Sequence, residues 1–199
     1  MKITAIKQQV KNPKRVNVFV DDKYEFSLTL DELLKEKLKN GSELEKTDVR
    51  RLKKISADGK LRIRAMEWLL NRPHSTREFR DYLYRKKAEP ELIEAFIKEF
   101  SDKGYLDDRK FGGWFIELQK RRGKSDRALR ATLFKKGVGR ELVDELLAAE
   151  PDDEVERLKA TIEKKRRLPR YRSDQQKLKQ YLARQGFNFD LINQELQNT

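Results

Sequence analysis

The segment Ser125–Leu147, SDRALRATLFKKGVGRELVDELL, reads as two short amphipathic helices that meet at a glycine. The same pattern occurs upstream over Ser75–Ile97 and, more loosely, downstream over Asp174–Leu196. Superposition brings the apolar residues into register. Phe79, Leu129 and Leu178 share one position, and Tyr82, Thr132 and Tyr181 the next polar-edged one. Leu83, Leu133 and Leu182 align, as do Ile93, Val143 and Ile192, and finally Ile97, Leu147 and Leu196. A period of roughly 50 residues is that of stacked helical units, each too small to bury its apolar stripe alone.

Composition agrees with such an array. Charged residues make up 41% of the chain and hydrophobic residues 37%. An average soluble domain carries about 25% charged residues. One large spherical core is therefore not expected, and helical spacing of the apolar residues argues against disorder. The expected fold is mainly α: tandem three-helix repeats in an elongated, curved array.

The N-terminus departs from this pattern. Val16, Val18 and Val20 alternate with Arg15, Asn17 and Phe19, the period of a strand. Asp21-Asp22-Lys23 then turns the chain back through Tyr24–Ser27, and the first ten residues offer a third strand. A short helix is expected over Asp31–Lys39, stopped by Asn40-Gly41, and another from Thr47 to Ile55. Ser56-Ala57-Asp58-Gly59 reads as the internal boundary. Residues 1–58 thus form a small β-hairpin and helix cap, followed by repeats over 59–106, 107–150 and 151–199.

In each repeat a first helix precedes the glycine-linked pair. Phe111, Trp114, Phe115 and Leu118 mark it in the second repeat, and Val155, Leu158 and Ile162 in the third, capped by Asp152 or Asp153. Ser75…Glu78 and Ser173…Gln176 have the spacing of capping boxes. Gly137 and Gly186 suit left-handed C-terminal caps. Trp68, Phe96, Trp114 and Phe115 are assigned to the core, Tyr171, within a basic run, fits either core or surface, and Glu195 is assigned to a face with no neighbour beyond it.

Several function classes find no support. No apolar run reaches the ~20 residues of a membrane span. The first residues lack a signal peptide's apolar segment, and there is no cysteine for disulfides or thiolate chemistry. A cytoplasmic protein with no membrane partner is the simplest expectation. The lone histidine, His74, reads as a loop residue, and Asp107-Asp108 as helix caps. Neither glycine-rich phosphate-loop pattern is present. No enzymatic activity, metal or cofactor is expected.

What remains is charge. The net charge of +13 and pI near 9.8 favour polyanionic partners. One cluster comprises Lys120, Arg121, Arg122 and Lys124, continuing through Arg127, Arg130, Lys135 and Lys136. The second comprises Lys164, Lys165, Arg166 and Arg167, continuing through Arg170, Arg172, Lys177 and Lys179. Both begin where the first helix of a repeat meets the second, so stacking would align them into one cationic stripe. Helix-dipole compensation is the plainer account of cations at a helix C-terminus.

The sequence resembles the RecX family of bacterial RecA regulators. The resemblance lies in Arg72-Pro73-His74-Ser75 leading into Glu78-Phe79, in Gly104-Tyr105-Leu106-Asp107-Asp108 leading into Phe111, and in Gly123 and Leu133–Val138. Ile3–Lys7 and Asn12–Val16 extend it to the N-terminus. It implies an elongated array of three-helix repeats that lodges in the groove of the RecA–DNA filament, works as a monomer, and restrains RecA's ATPase, strand-exchange and co-protease activities in recombination, repair and the SOS response. Single- or double-stranded DNA is a second candidate contact. The alternative reading is a general DNA-binding protein built of helix-turn-helix-like modules.

Overall fold

The computed structural model describes residues 1–149 and 153–197. The chain opens with three strands, β1 (Ile3–Gln8), β2 (Arg15–Val20) and β3 (Lys23–Thr29). They form an antiparallel sheet in the order β1-β2-β3. Helices α1 (Leu30–Lys35), α2 (Lys46–Leu70), α3 (Thr76–Arg85) and α4 (Pro90–Asp102) follow. The next three are α5 (Asp108–Arg121), α6 (Asp126–Lys135) and α7 (Arg140–Ala149). The last are α8 (Glu154–Arg166), α9 (Pro169–Arg172), α10 (Gln175–Gln185) and α11 (Phe189–Gln197). No helix among the described residues is long and apolar enough to cross a membrane.

Two compact units emerge: Met1–Asn71 with Ala88–Leu92, and Arg72–Lys87 with the chain from Ile93 onward. In the first, Ile3, Val16, Val18, Val20, Phe26 and Leu28 pack with Val49 and Leu52 of α2. Asp21 and Asp22 both take positive φ, +49° and +63°, as a two-residue hairpin turn requires. The third strand gives the hairpin the extra pairing it needs.

Two helix boundaries differ from expectation. Helix α1 stops at Lys35 rather than Lys39, because Lys37 adopts φ +51° and Leu38 N–H donates back to the Leu33 carbonyl. The break expected at 56–59 is absent: α2 runs unbroken for 25 residues. Its small residues serve close packing instead. Ser56 Oγ accepts from the β3 amide of Ser27 at 3.2 Å. A Cβ on Gly59 would meet Glu32 Oε1 at 2.5 Å and Arg15 Nη1 at 3.3 Å. Arg15 is itself buried, donating through Nη2 to the Ser27 carbonyl at 2.7 Å.

In the second unit, two successive repeats carry matching cores. Phe111, Phe115, Ile116, Leu129, Leu133, Val138, Val143 and Leu147 form one. Leu158, Ile162, Tyr171, Leu178, Leu182, Phe187, Ile192 and Leu196 form the other. Burying a leucine such as Leu133 or Leu182 contributes about 2 kcal/mol. Leu129, Leu133, Val143 and Leu147 of the first and Leu178, Leu182, Ile192 and Leu196 of the second are residues that the sequence superposition placed in register. Tyr171, open between core and surface from the sequence, is buried: the single turn α9 carries its ring into the core, 5.6 Å from Tyr181. That turn also displaces the cap of α10. Asp174 accepts from Lys177 N–H, while Ser173 closes α9 by donating to the Pro169 carbonyl. Glu195 is buried rather than solvent-facing. Asp153 caps α8, and Asp152 lies outside the described residues.

The same joint links one repeat to the next twice. Ser75 caps α3 and its hydroxyl also donates to the Lys136 carbonyl at 2.7 Å. Thr76 N–H donates to Asp108, the first residue of α5, at 2.8 Å. Fifty residues on, Ser125 caps α6 and its own N–H donates to the Gln185 carbonyl at 3.1 Å. Asp126 N–H donates to Glu154, the first residue of α8, at 2.8 Å. Glycine is required at the receiving end of each joint. Gly137 has φ +84°, and a Cβ there would lie 2.7 Å from Arg77 Cβ. Gly186 has φ +99°, and a Cβ would lie 2.6 Å from Ala128 Cβ and collide with the Ser125 hydroxyl. In the first copy this position is held by Lys87, exposed, at φ +60°.

Candidate functional site

The basic residues singled out from the sequence separate into three groups. Lys120, Arg121 and Arg122 end α5 and its cap, while Lys164 and Lys165 lie near the end of α8. The joint places all five around one cleft of about 460 Å³, with Gly123, Arg157, Ala160, Thr161 and Tyr181. Lys124 directly follows Gly123 in the chain. Lys165 Nζ sits 4.5 Å above the Tyr181 ring, which orients one wall.

A second group is used by the architecture. Arg127 Nε donates to the Gly186 carbonyl at 3.1 Å, inside a joint. Lys136 pairs with Glu78 at 2.5 Å, inside the other. Arg130 pairs with Asp144, between α6 and α7. These three act as fastenings. The third group lies beyond the cleft. Arg167 pairs with Glu163 at 2.6 Å, Arg170 stacks on Tyr171 at 4.6 Å, and Arg172 reaches the Arg166 carbonyl at 3.4 Å. Lys135 is exposed in the last turn of α6. Of the stripe expected over two repeats, the structure concentrates the part nearest the joint between α5 and α8.

The cleft exists because of substitutions between repeats. Asp108 and Glu154 occupy the same place at their helix starts, which sets α5 and α8 in register. The burial patterns confirm it: Phe111, Gly112, Phe115 and Ile116 on α5 match Arg157, Leu158, Thr161 and Ile162 on α8. In that register Arg157 stands for Phe111, Ala160 for Trp114 and Thr161 for Phe115. Three aromatic side chains give way to a guanidinium, a methyl and a hydroxyl. Tyr171 restores an aromatic ring to the core from another direction, while the space beside α8 stays open.

Arg157 was not among the residues singled out. Its side chain is 7% exposed, with Nη2 2.6 Å from Asp126 Oδ1 and 3.8 Å from Glu154 Oε1. Buried guanidinium groups need such partners. The signal for it was the second face of α8: residues 157, 160, 161, 164 and 165 recur at helical spacing beside the apolar stripe.

The other joint is differently charged. His74 is buried rather than an ordinary loop residue, its Nδ1 3.3 Å from Glu78 Oε2. Glu78 does not reach back to complete the capping box expected with Ser75. It accepts instead from Arg72 Nη1 at 2.9 Å and from Lys136 Nζ at 2.5 Å. Arg72 in turn lies 5.2 Å from the Trp114 ring. Burial works against ionisation of Glu78, but hydrogen bonds from Arg72 and Lys136 and their charges outweigh it, lowering the pKa to about 2.

The fold and this cleft define a helical-repeat protein whose polar features converge on a cationic inter-repeat cleft. The "Regulatory protein RecX N-terminal domain" matches residues 1–45, and "RecX, third three-helix domain" matches residues 152–196. The regulatory protein RecX of Bacillus velezensis is 35% identical over 99% of this chain and 77% of its own length. That of Bacillus licheniformis is 32% identical over the same shares. The chain belongs to the RecX family of regulatory proteins. Two crystal structures share the fold. A regulatory protein RecX superposes with a TM-score of 0.71 at 24% identity, over 96% of this chain and 97% of that one. RecX from Lactobacillus salivarius gives 0.57 at 23% identity, over 71% of this chain and 96% of that one.

Proposed function

We propose that this chain is a non-enzymatic regulator that binds the RecA–DNA filament and restrains RecA's ATPase, strand-exchange and co-protease activities. Membership of a family of regulatory proteins supports a regulatory role. The observation that carries the binding mode is the cleft, where cations from two successive repeats face one space with no carboxylate among its lining residues. Such a surface attracts the anionic parts of a nucleoprotein polymer. A regulator shifts a filament only by binding one of its states better than another, and a cleft shared by two repeats is suited to reading their spacing.

The test is RecA's single-strand-dependent ATPase, with filament length followed in parallel. The expected result is dose-dependent inhibition, weakened at least tenfold by joint Arg121→Glu and Arg122→Glu replacement. ATPase unaffected by a tenfold excess of the native chain would overturn the proposal.

A further inference from the structure

The cleft holds more positive charge than a joint between repeats needs. Lys120, Arg121, Arg122, Arg157, Lys164 and Lys165 all line it. Glu117 pairs with Arg121, and Asp126 holds Arg157 from the repeat side. Even so, cations outnumber the carboxylates beside them. Like charges gathered around one space repel, and the fold keeps Arg157 among them although Phe111 shows that an aromatic residue can occupy the matching position. A structural role alone would favour the aromatic version, since an apolar replacement for buried charge is neutral or stabilising.

We infer that the cleft takes a run of consecutive phosphate groups and that filling it clamps α8 to α5. The charge density decides for phosphate over protein carboxylates. Consecutive phosphates of one nucleic-acid strand recur every ~3.4 Å of helix axis. Acidic side chains on one helix face recur only every ~5–6 Å. The Arg122 guanidinium on one wall offers a forked donor that matches phosphate oxygens, and Arg157, held by Asp126, adds fixed positive charge on the other. The Thr161 hydroxyl, which donates to the Arg157 carbonyl at 2.8 Å, stands beside Gly123, where a Cβ would collide with it. Because the two walls belong to successive repeats, a phosphate run bridging them neutralises the repulsion and stabilises their present arrangement.

The phosphates have two possible sources, a polynucleotide backbone or a free polyphosphate such as a nucleoside triphosphate. As the nucleic-acid side of a filament interface, the inference rests on the regulatory reading for its purpose but not for its chemistry.

The experiment uses the full chain at matched ionic strength, titrated with tripolyphosphate, ATP, a 20-nucleotide single strand and poly-glutamate. Binding is read by thermal shift and by tryptophan fluorescence. Saturable binding of tripolyphosphate with a rise in Tm is expected. Ala160→Trp, which places the ring of the preceding repeat in the cleft without altering charge, should weaken it at least tenfold. Joint Lys164→Glu and Lys165→Glu replacement should do the same and lower the salt dependence by about one per cation removed. Competition between oligonucleotide and tripolyphosphate supports the backbone source; tripolyphosphate and ATP binding without oligonucleotide supports the free one. Poly-glutamate binding as tightly as tripolyphosphate, equal affinity in Ala160→Trp, or no saturable binding overturns the inference. Phosphate binding intact beside unaffected RecA ATPase would defeat the regulatory reading alone. Inhibition intact without phosphate binding would defeat only the clamp.

Discussion

Replacing Glu78 with glutamine removes the charge at the centre of the joint between α3 and α6 while keeping the side chain's shape. Its carboxylate accepts from Arg72 at 2.9 Å and Lys136 at 2.5 Å, with His74 at 3.3 Å. A pKa of about 2 in place of the ordinary 4.5 corresponds to about 3 kcal/mol in favour of the charged form. Arg72 and Lys136 are each 37% exposed, so solvent screening reduces this to about 2 kcal/mol. For a chain of this size that is a fall in Tm of about 4–8 °C at pH 7. The sign with pH follows from linkage. The folded-state pKa lies below the unfolded one, so the stabilisation is complete above pH ~4.5 and is lost as pH falls towards ~2. Urea denaturation of native chain and variant should therefore differ at pH 7 and converge near pH 2. A variant as stable as the native chain at pH 7, or a gap unchanged across that range, would refute the ion-pair account of this joint.

Gly186→Ala should lower stability by about 2–4 kcal/mol, combining a left-handed backbone with crowding against Ala128; an unchanged urea midpoint would show that the joint relaxes freely. Leu133→Ala, at a fully buried site, should cost about 2–5 kcal/mol by the same measurement. Ser75→Ala removes a helix cap and the bond to the Lys136 carbonyl together, and should cost about 1–2 kcal/mol. Helix content by circular dichroism should stay nearly constant in the Arg121→Glu and Arg122→Glu variant, so that any lost RecA inhibition reports on the surface.

The repeat was legible because its evidence is periodic. Leu83, Leu133 and Leu182 occupy equivalent core positions because one helical spacing recurs three times, and Gly137 and Gly186 ended helices where a left-handed residue was needed. Local signals misled where a residue's role was set by something distant in sequence. Ser56 and Gly59 read as a boundary, but their small size admits Ser27, Glu32 and Arg15 from elsewhere in the chain. Glu78 has capping-box spacing, yet Lys136, 58 residues away, claims its carboxylate. The candidate site was legible as two clusters of cations. Their division into cleft-lining residues and fastenings was not, because Arg121 and Arg127 look alike until a partner such as Gly186 is in place.

The recurring joint also gives the array a polarity. Each incoming unit must offer a glycine where helix α6 or α10 ends, because the preceding unit's serine-capped loop settles on it. Lys87 fills that place on α3 with a full side chain. A duplicated unit spliced in ahead of α3 would find no seat there until that lysine mutated, so lengthening by duplication is obstructed at that end of the series.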